Sequence, residues 1–597
     1  MDQEKNIRIG CASAFWGDTS TAAKQLVEKG NLDYLVFDFL AEVTMSILAG
    51  AKMKNPEMGY APDFVTQMKP LLKQIKEKKI KVISNAGGIN LDSCRIELIN
   101  QAEKEGVKLN IAVVKGDNLL NKLNHFVQLG ITEMETNKPI PNSCLSINAY
   151  LGATGIVTAL EKGADIVITG RCVDSALALA PLMHEFDWTD TDYDMLANGS
   201  LAGHIIECGA QCTGGNFTDW KEIEGFDDMG FPVVEVNSIG EFIVSKPKGT
   251  GGMVTFGTVA EQFLYEIGNP SEYILPDVIC DFTQVSIQDL GNNKVSVKGA
   301  KGFPPTNKYK VSATYMNGYR IAGTLVIGGM KAKEKGELIA RSIIQKTNRI
   351  LNQNGFEKFL STSLDLIGTN SIYGPNYSKN NSKEIVLRLM ATHSNKNALI
   401  ILSHEMAQAS TGMAPGVMNY LGGRPSISPS IHLFSFFLPK NQVSVEVNLN
   451  KLNYQIDVAT SPEYSSPPKK DKNSKVLSII QEEEIKVPLI KLAFARSGDK
   501  GNHANIGVIS RKPEYLPYIQ SALTPESVAQ YFNHVLEGTV ECWNVPGING
   551  INFLLKNSLG GGGMASLNID PQGKTYAQQL LEYEIPVTEE IANGINN

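Results

Sequence analysis

The first 190 residues alternate between short apolar runs and segments whose apolar positions recur at helical spacing. The runs 7–13, 33–39, 81–84, 109–114 and 165–169 predict strands. Between them, 19–30, 42–53, 63–79, 92–105, 119–129 and 149–162 predict helices, and glycines at 30, 106, 130 and 163 close four of them. In the 63–79 segment Phe64, Met68, Leu71, Leu72 and Ile75 share one face. Strands separated by helices require right-handed crossovers and imply a largely parallel sheet. The expected class is α/β, with an open three-layer sheet preferred to a barrel.

Past residue 225 the pattern becomes strand-rich. Hairpin signals stand at Gly291-Asn292-Asn293 and Asn317-Gly318, and a further hairpin is expected over 431–449. Helices are predicted at 334–353 and 396–409, with strands near 361–367 and 384–392. Residues 376–383 read as an exposed loop insertion. The Pro-, Ser- and Lys-rich stretch 461–475 has no apolar period and reads as a linker. The expected division is a parallel α/β domain over 1–225 and an α+β domain over 226–460, packed on or intertwined with the first. A linker over 461–485 and a C-terminal α+β domain over 486–597 follow. In that last unit strands are expected at 490–495, 506–509, 551–556, 564–568 and 580–586, with helices near 525–537.

Composition narrows the classes. Of 597 residues, 42% are hydrophobic and 20% charged, which excludes wholesale disorder. The net charge of −7 and the lack of a Lys/Arg block argue against nucleic acid. Residues 1–5 carry no signal pattern, and no apolar window is long enough to span a membrane. Eight cysteines are too few for a disulfide framework, so a cytoplasmic setting with reduced thiols is expected.

Parallel sheets bind ligands beyond the C-terminal ends of their strands. Here each predicted strand ends in small or polar residues: Gly10-Cys11-Ala12-Ser13, then Asp38, then Asn85-Ala86-Gly87-Gly88, then Lys115-Gly116-Asp117-Asn118, then Thr169-Gly170-Arg171 with Asp174 one turn on. Ordinary turn chemistry would also produce such endings. Five in register point to one ligand pocket built from Ser13, Asn85, Gly87, Gly88, Lys115, Asp117, Arg171 and Asp174. Lys115 and Arg171 suit a carboxylate or phosphate. Asp38 interrupts an apolar strand, where burial raises its pKa and fits it for acid/base work; a carboxylate simply satisfied by backbone N–H groups is the bland alternative.

A second constellation spans Gly203 to Asn216. On a helix His204 shares a face with Glu207 and Cys208. His204 is the candidate acid/base and Cys208 a candidate nucleophile. The turn Thr213-Gly214-Gly215-Asn216 could present N–H groups to an anion. The spacing matches no standard zinc pattern, so no metal is expected. A third group, Arg496, Asp499, Lys500 and Asn502, lies in a polar loop between two apolar strands. Glycine clusters at 249–252 and 560–563 allow close backbone approach to a ligand. No GxGxxG or P-loop pattern follows any strand, so no cofactor is predicted beyond CoA as part of a substrate, and a nucleotide-dependent transferase lacks its phosphate loop.

The runs Gly10–Asp18, Asp33–Met45, Thr169–Asp174 and Gly203–Trp220 resemble the acyclic terpene utilisation family of AtuA type. Arg496–Asn502 and Gly560–Gly563 are similar to the ferredoxin-like domain that accompanies it. The resemblance implies a role in breakdown of branched acyclic terpenoids through acyl-CoA intermediates, beside carboxylases. It assigns no reaction and no catalytic residue. Two functions are therefore expected to compete. One is a cofactor-independent lyase, hydratase or hydrolase acting on a small anionic substrate. The other is a non-catalytic subunit or scaffold that organises a carboxylase. Self-association is expected in either case, with neither nucleic acid nor membrane as partner.

Overall fold

The computed structural model describes residues 5–376, 382–458 and 485–595. Five short strands run parallel: β1 (Ile7–Cys11), β2 (Tyr34–Phe37), β3 (Lys81–Ser84), β4 (Ile111–Lys115) and β6 (Ile166–Thr169), in the order β1-β2-β3-β6-β4. The last of the six predicted helices resolves differently. Residues expected to begin a helix at 149 form β5 (Ser146–Ala149), which joins another sheet, and the helix is Thr154–Glu161.

Successive side chains of a strand point to opposite faces, and here both faces are buried. Ile9, Cys11, Tyr34, Val36, Ala112 and Val114 pack into one core with Ile156, Leu177 and Leu201. Leu35, Phe37, Val82, Val113 and Ile168 pack into the other with Leu26, Phe64, Leu72 and Leu98. That is why these strands read as continuous apolar runs, and it makes the fold an open three-layer α/β sheet rather than a barrel.

Antiparallel strands from later in the chain extend both edges. β7 (Val233–Val236) pairs with β1 and continues through β8 (Phe242–Ser245) to Lys294–Lys298 and Ser286–Gly291. At the far edge Val445–Leu449 pairs with β4 and with Leu452–Ile456. The division expected at residue 225 therefore cuts through one eleven-stranded sheet.

A second sheet is organised by one long strand, Lys308–Gly328, against which Ile427–Pro439, Glu384–His393, Val417–Tyr420 and β5 pair. The expected turn at Asn317-Gly318 is a bulge inside this strand, where the register shifts between Met316 and Tyr319. Gly318 takes φ +75° there, and both flanking halves keep their partner strands. The hairpin expected over 431–449 does not form either: 427–439 and 445–449 belong to different sheets. The expected linker lies almost wholly outside the described residues, as does most of the 376–383 insertion.

The C-terminal unit carries a four-stranded antiparallel sheet, Ala493–Lys500, His503–Ser510, Gly550–Leu555 and Val540–Val545, around its own core. The polar segment expected as a loop over 495–507 is mostly strand, with its turn at Gly501-Asn502. Residues 564–568 are not a strand. This unit clasps the main body. Arg496 meets the fully buried Glu261, Asn505 and Asn552 bind the carbonyls of Leu264, Ile267 and Gly268, and Arg511 pairs with Asp219.

Candidate active site

The five parallel tips share one edge, but they are not equally equipped. At the end of β2, Asp38 is buried, and its Oδ1 accepts a 2.7 Å hydrogen bond from Asn85 Nδ2. Asn85, fully buried at the end of β3, also accepts from Phe39 N. Ser13 Oγ donates to the Asp38 carbonyl at 2.9 Å. Ser13 and Asn85 thus fix Asp38 rather than face a ligand. From β6, Arg171 Nη1 donates to the Leu40 carbonyl and to Asp174 Oδ1, and the guanidinium lies 4.3 Å from the Tyr150 ring centre. Burial and the nearby Asp174 carboxylate push the Asp38 pKa well up, only partly offset by Arg171 and Asn85.

The next acid comes from the helix Tyr193–Ile206 and the turn that follows it. His204 is 1% exposed, with Nε2 3.1 Å from the Phe263 carbonyl and Nδ1 3.1 Å from Glu207 Oε1. A carbonyl only accepts, so Nε2 carries the proton. Burial pulls the imidazole down to about 4, so Nδ1 is left with a lone pair. Glu207 must then donate, as a neutral carboxylic acid. Its pKa is accordingly raised, by burial first and then by Asp174 and Glu266. His204 is spent on backbone and Glu207, so it acts as a positioning residue, and Glu207 is the acid that the cluster presents.

Around these groups stand residues that the sequence pattern did not single out. Burial and Asp499 raise the pKa of Glu266, while Lys574 and Lys500 act against the rise. Lys574 Nζ donates to the Tyr265 hydroxyl, and Tyr273 lies between His204 and Lys500, with ring centres or cation 6.0 and 5.3 Å away. The C-terminal unit therefore supplies Asp499, Lys500 and Lys574 to the same cluster. Asn502 anchors the loop that follows the cluster's roof: its Oδ1 accepts from Gly561 N at 2.6 Å. Gly560–Gly563 all adopt positive φ, and a side chain at Gly562 would meet the Gly501 carbonyl at 2.1 Å. The same loop brings Gly563 beside Val43, next to the Asp38 tip.

Other expected site residues serve elsewhere. Lys115 pairs with Asp92 at 2.7 Å, in a network with Arg95 away from the Asp38 cluster. Asp117 is buried and accepts from Arg171 N and Asn148 Nδ2; burial still lifts it to about 6, so it is a brace for the β6 tip. Gly87 and Gly88 pack against Thr169, Leu48 and Gly59, and the N–H groups of Ala86 and Gly88 are bound to Ser84 Oγ and Asn85 O. The Thr213–Asn216 turn is likewise internally bonded: Gly214 N and Gly215 N donate to Ala210 O, and the Gly215 carbonyl accepts from Arg496. The N–H groups of Ala86, Gly88, Gly214 and Gly215 are therefore already taken inside the protein. Burial, Glu266 and Glu207 push the Cys208 thiol well up, away from the thiolate form that a nucleophile needs. Arg496 is consumed by Glu261, Gln211 and Gly215. Among the described residues no group of three or more His, Cys, Asp or Glu is disposed to hold a metal ion.

The model of the family described as "Acyclic terpene utilisation family protein AtuA" matches residues 7–449. The chain belongs to this family. A second model, the AtuA ferredoxin-like domain, matches residues 487–586 and so covers the C-terminal unit. No curated protein and no solved structure matched the chain. Among the described residues of this AtuA family member, no helix is long and apolar enough to cross a membrane. In family terms, the acid cluster lies where the AtuA region and its ferredoxin-like domain meet.

Proposed function

We propose that this chain is an enzyme of branched acyclic terpenoid breakdown that moves protons on a carboxylate or acyl-CoA thioester. The observation that carries the reading is the pair of buried acids, Asp38 and Glu207, both pushed up by burial and by Asp174 and gathered with Arg171 at one edge of a parallel sheet. A carboxylic acid kept protonated at neutral pH is a ready general acid, and once emptied it is a base of matched strength. Arg171, Lys310, Lys500 and Lys574 supply the positive side that an anionic substrate needs. Arg171 and Lys310 flank the same Tyr150 ring, at 4.3 and 5.1 Å from its centre. Buried, oriented charge of this kind acts more strongly than it would in water.

Lyase, hydratase and hydrolase chemistry all draw on such a set. The cytoplasmic setting, self-association and a carboxylase partner belong to the same proposal. The test is a thermal-shift screen of the full chain against branched free acids, their CoA thioesters and nucleotides, because a ligand of the native state raises its apparent stability. Branched acids or thioesters should raise the melting temperature, and Arg171→Ala should abolish the rise. A response to nucleotides alone would overturn the reading. Stoichiometric co-purification with a carboxylase, with pathway flux unchanged in Asp38→Asn and Glu207→Gln variants, would replace it with the scaffold function.

A further inference from the structure

Behind Arg171 lies a small polar chamber. Ser146, Asn148, Tyr150, Arg171, Ser312, Thr314 and Met45 line it, and it has room for about 10 Å³, the size of one water. It forms because β5 and the long strand pair with Asn148 opposite Ser312 and Ser146 opposite Thr314, so four polar side chains meet on one face. Ser146 and Thr314 satisfy each other at 2.7 Å. Asn148 Oδ1 and Ser312 Oγ have no partner, although Asn148 is 2% and Ser312 7% exposed.

The orientation of Asn148 is settled by its neighbours. Its Nδ2 donates at 2.8 Å to Asp117 Oδ2, the same oxygen that accepts from Arg171 N. The amide oxygen therefore faces the chamber, and it can only accept. A buried unpaired acceptor costs on the order of 1–3 kcal/mol. The occupant that relieves it must donate a hydrogen bond, which excludes a carboxylate or a halide, and room for one water excludes a phosphate. The adjoining guanidinium excludes an ammonium. What remains is a neutral hydroxyl oxygen.

We propose that this chamber seats one neutral, hydrogen-donating oxygen, a water or an alcohol hydroxyl of the substrate, held beside Arg171. The inference rests on the proton-transfer reading and sharpens it. An oxygen seated next to the cluster is what adding water to, or removing it from, a branched carboxylate or thioester requires.

The experiment is crystallography of the full chain, alone and with a branched ten-carbon acid that either bears or lacks a 3-hydroxyl, together with calorimetry of both acids. Wild type should show one oxygen within hydrogen-bond distance of Asn148 Oδ1 and Ser312 Oγ, and Ser312→Val should expel it. If the oxygen is present without ligand and persists beside both acids, its source is solvent. If the hydroxylated acid replaces it and binds about tenfold tighter, the source is the substrate. Should Ser312→Val fail to fold, Ser312→Ala and the wild-type map still decide. An empty chamber beside well-ordered buried waters elsewhere, or an anion in it, overturns the proposal. Failure of both acids to bind while the oxygen is present would instead count against the proton-transfer reading and leave the seat intact.

Discussion

Two buried arginines in this chain do opposite work. Arg496 is 5% exposed and meets Glu261, which is fully buried, with Gln211 and the Gly215 carbonyl taking its other N–H groups. One cation, one carboxyl group and matched hydrogen bonds make a closed set that joins the C-terminal unit to the body; burial pushes Glu261 up too, with Arg496 and Thr218 pulling it back. Arg171 is equally buried, at 4%. It stands in a crowd of acids, Asp38, Asp174 and Glu207, two of which are driven to hold protons. The difference teaches that burial of charge alone does not mark a site. Acids buried against one another so that the nearby cations only partly offset the cost do, because protons are then favoured there and are available for chemistry.

The comparison can be broken most forcefully at the closed pair. Arg496→Ala leaves Glu261 buried without a counter-charge and should cost about 3–5 kcal/mol in denaturant unfolding. A change under about 1 kcal/mol would show that the pair is not closed. At the open cluster the expected effects are reversed. Glu207→Gln or Asp38→Asn should lower turnover by about 10²–10⁴-fold while the melting temperature at pH 8 holds or rises.

A pH series sharpens the same contrast. Asp38 and Glu207 are raised, so the native state binds more protons than the unfolded chain once pH exceeds about 4. Their contribution is therefore present below that pH and is lost as pH climbs towards the folded values. Asp38→Asn should gain more stability relative to wild type at pH 8 than at pH 5. His204 runs the other way: with its pKa lowered to about 4, it costs stability as pH falls below about 6.5. An Asp38→Asn gain that is flat with pH would mean that Asp38 is ionised in the fold. The smallest effect is expected at Lys115→Ala, whose partner Asp92 is 46% exposed: under about 1 kcal/mol and no change in ligand binding.

The parallel strands were legible because each is buried on both faces; the helices Ala176–Phe186 and Tyr193–Ile206 were not, because Ala176–Met183 and Leu196–Ile206 are buried without a break and carry no one-face period. Asp38 was legible because an acid inside Leu35–Leu40 has no solvent to face. Arg171 and Asp174 were legible from their place one turn past a strand tip. Glu266, Tyr265, Tyr273 and Lys574 were not, since they come from a helix end, a short strand and a loop of another domain, and no local spacing joins them. Arg496 was misread because its partner Glu261 lies 235 residues away. Asn317-Gly318 has the composition of a turn, yet two sets of partner strands hold the chain straight through it. Edges and junctions depend on long-range pairing, which periodicity within one segment does not carry.

The central claim is that Asp38 and Glu207 are protonated at neutral pH. Infrared difference spectroscopy of the full chain, titrated in deuterated buffer, reads this directly through the carbonyl stretch of neutral carboxylic acids. Wild type should show that band at pH 7, and Asp38→Asn and Glu207→Gln should each remove part of it. A wild-type spectrum at pH 7 with carboxylate bands only, unchanged by either substitution, would contradict the account.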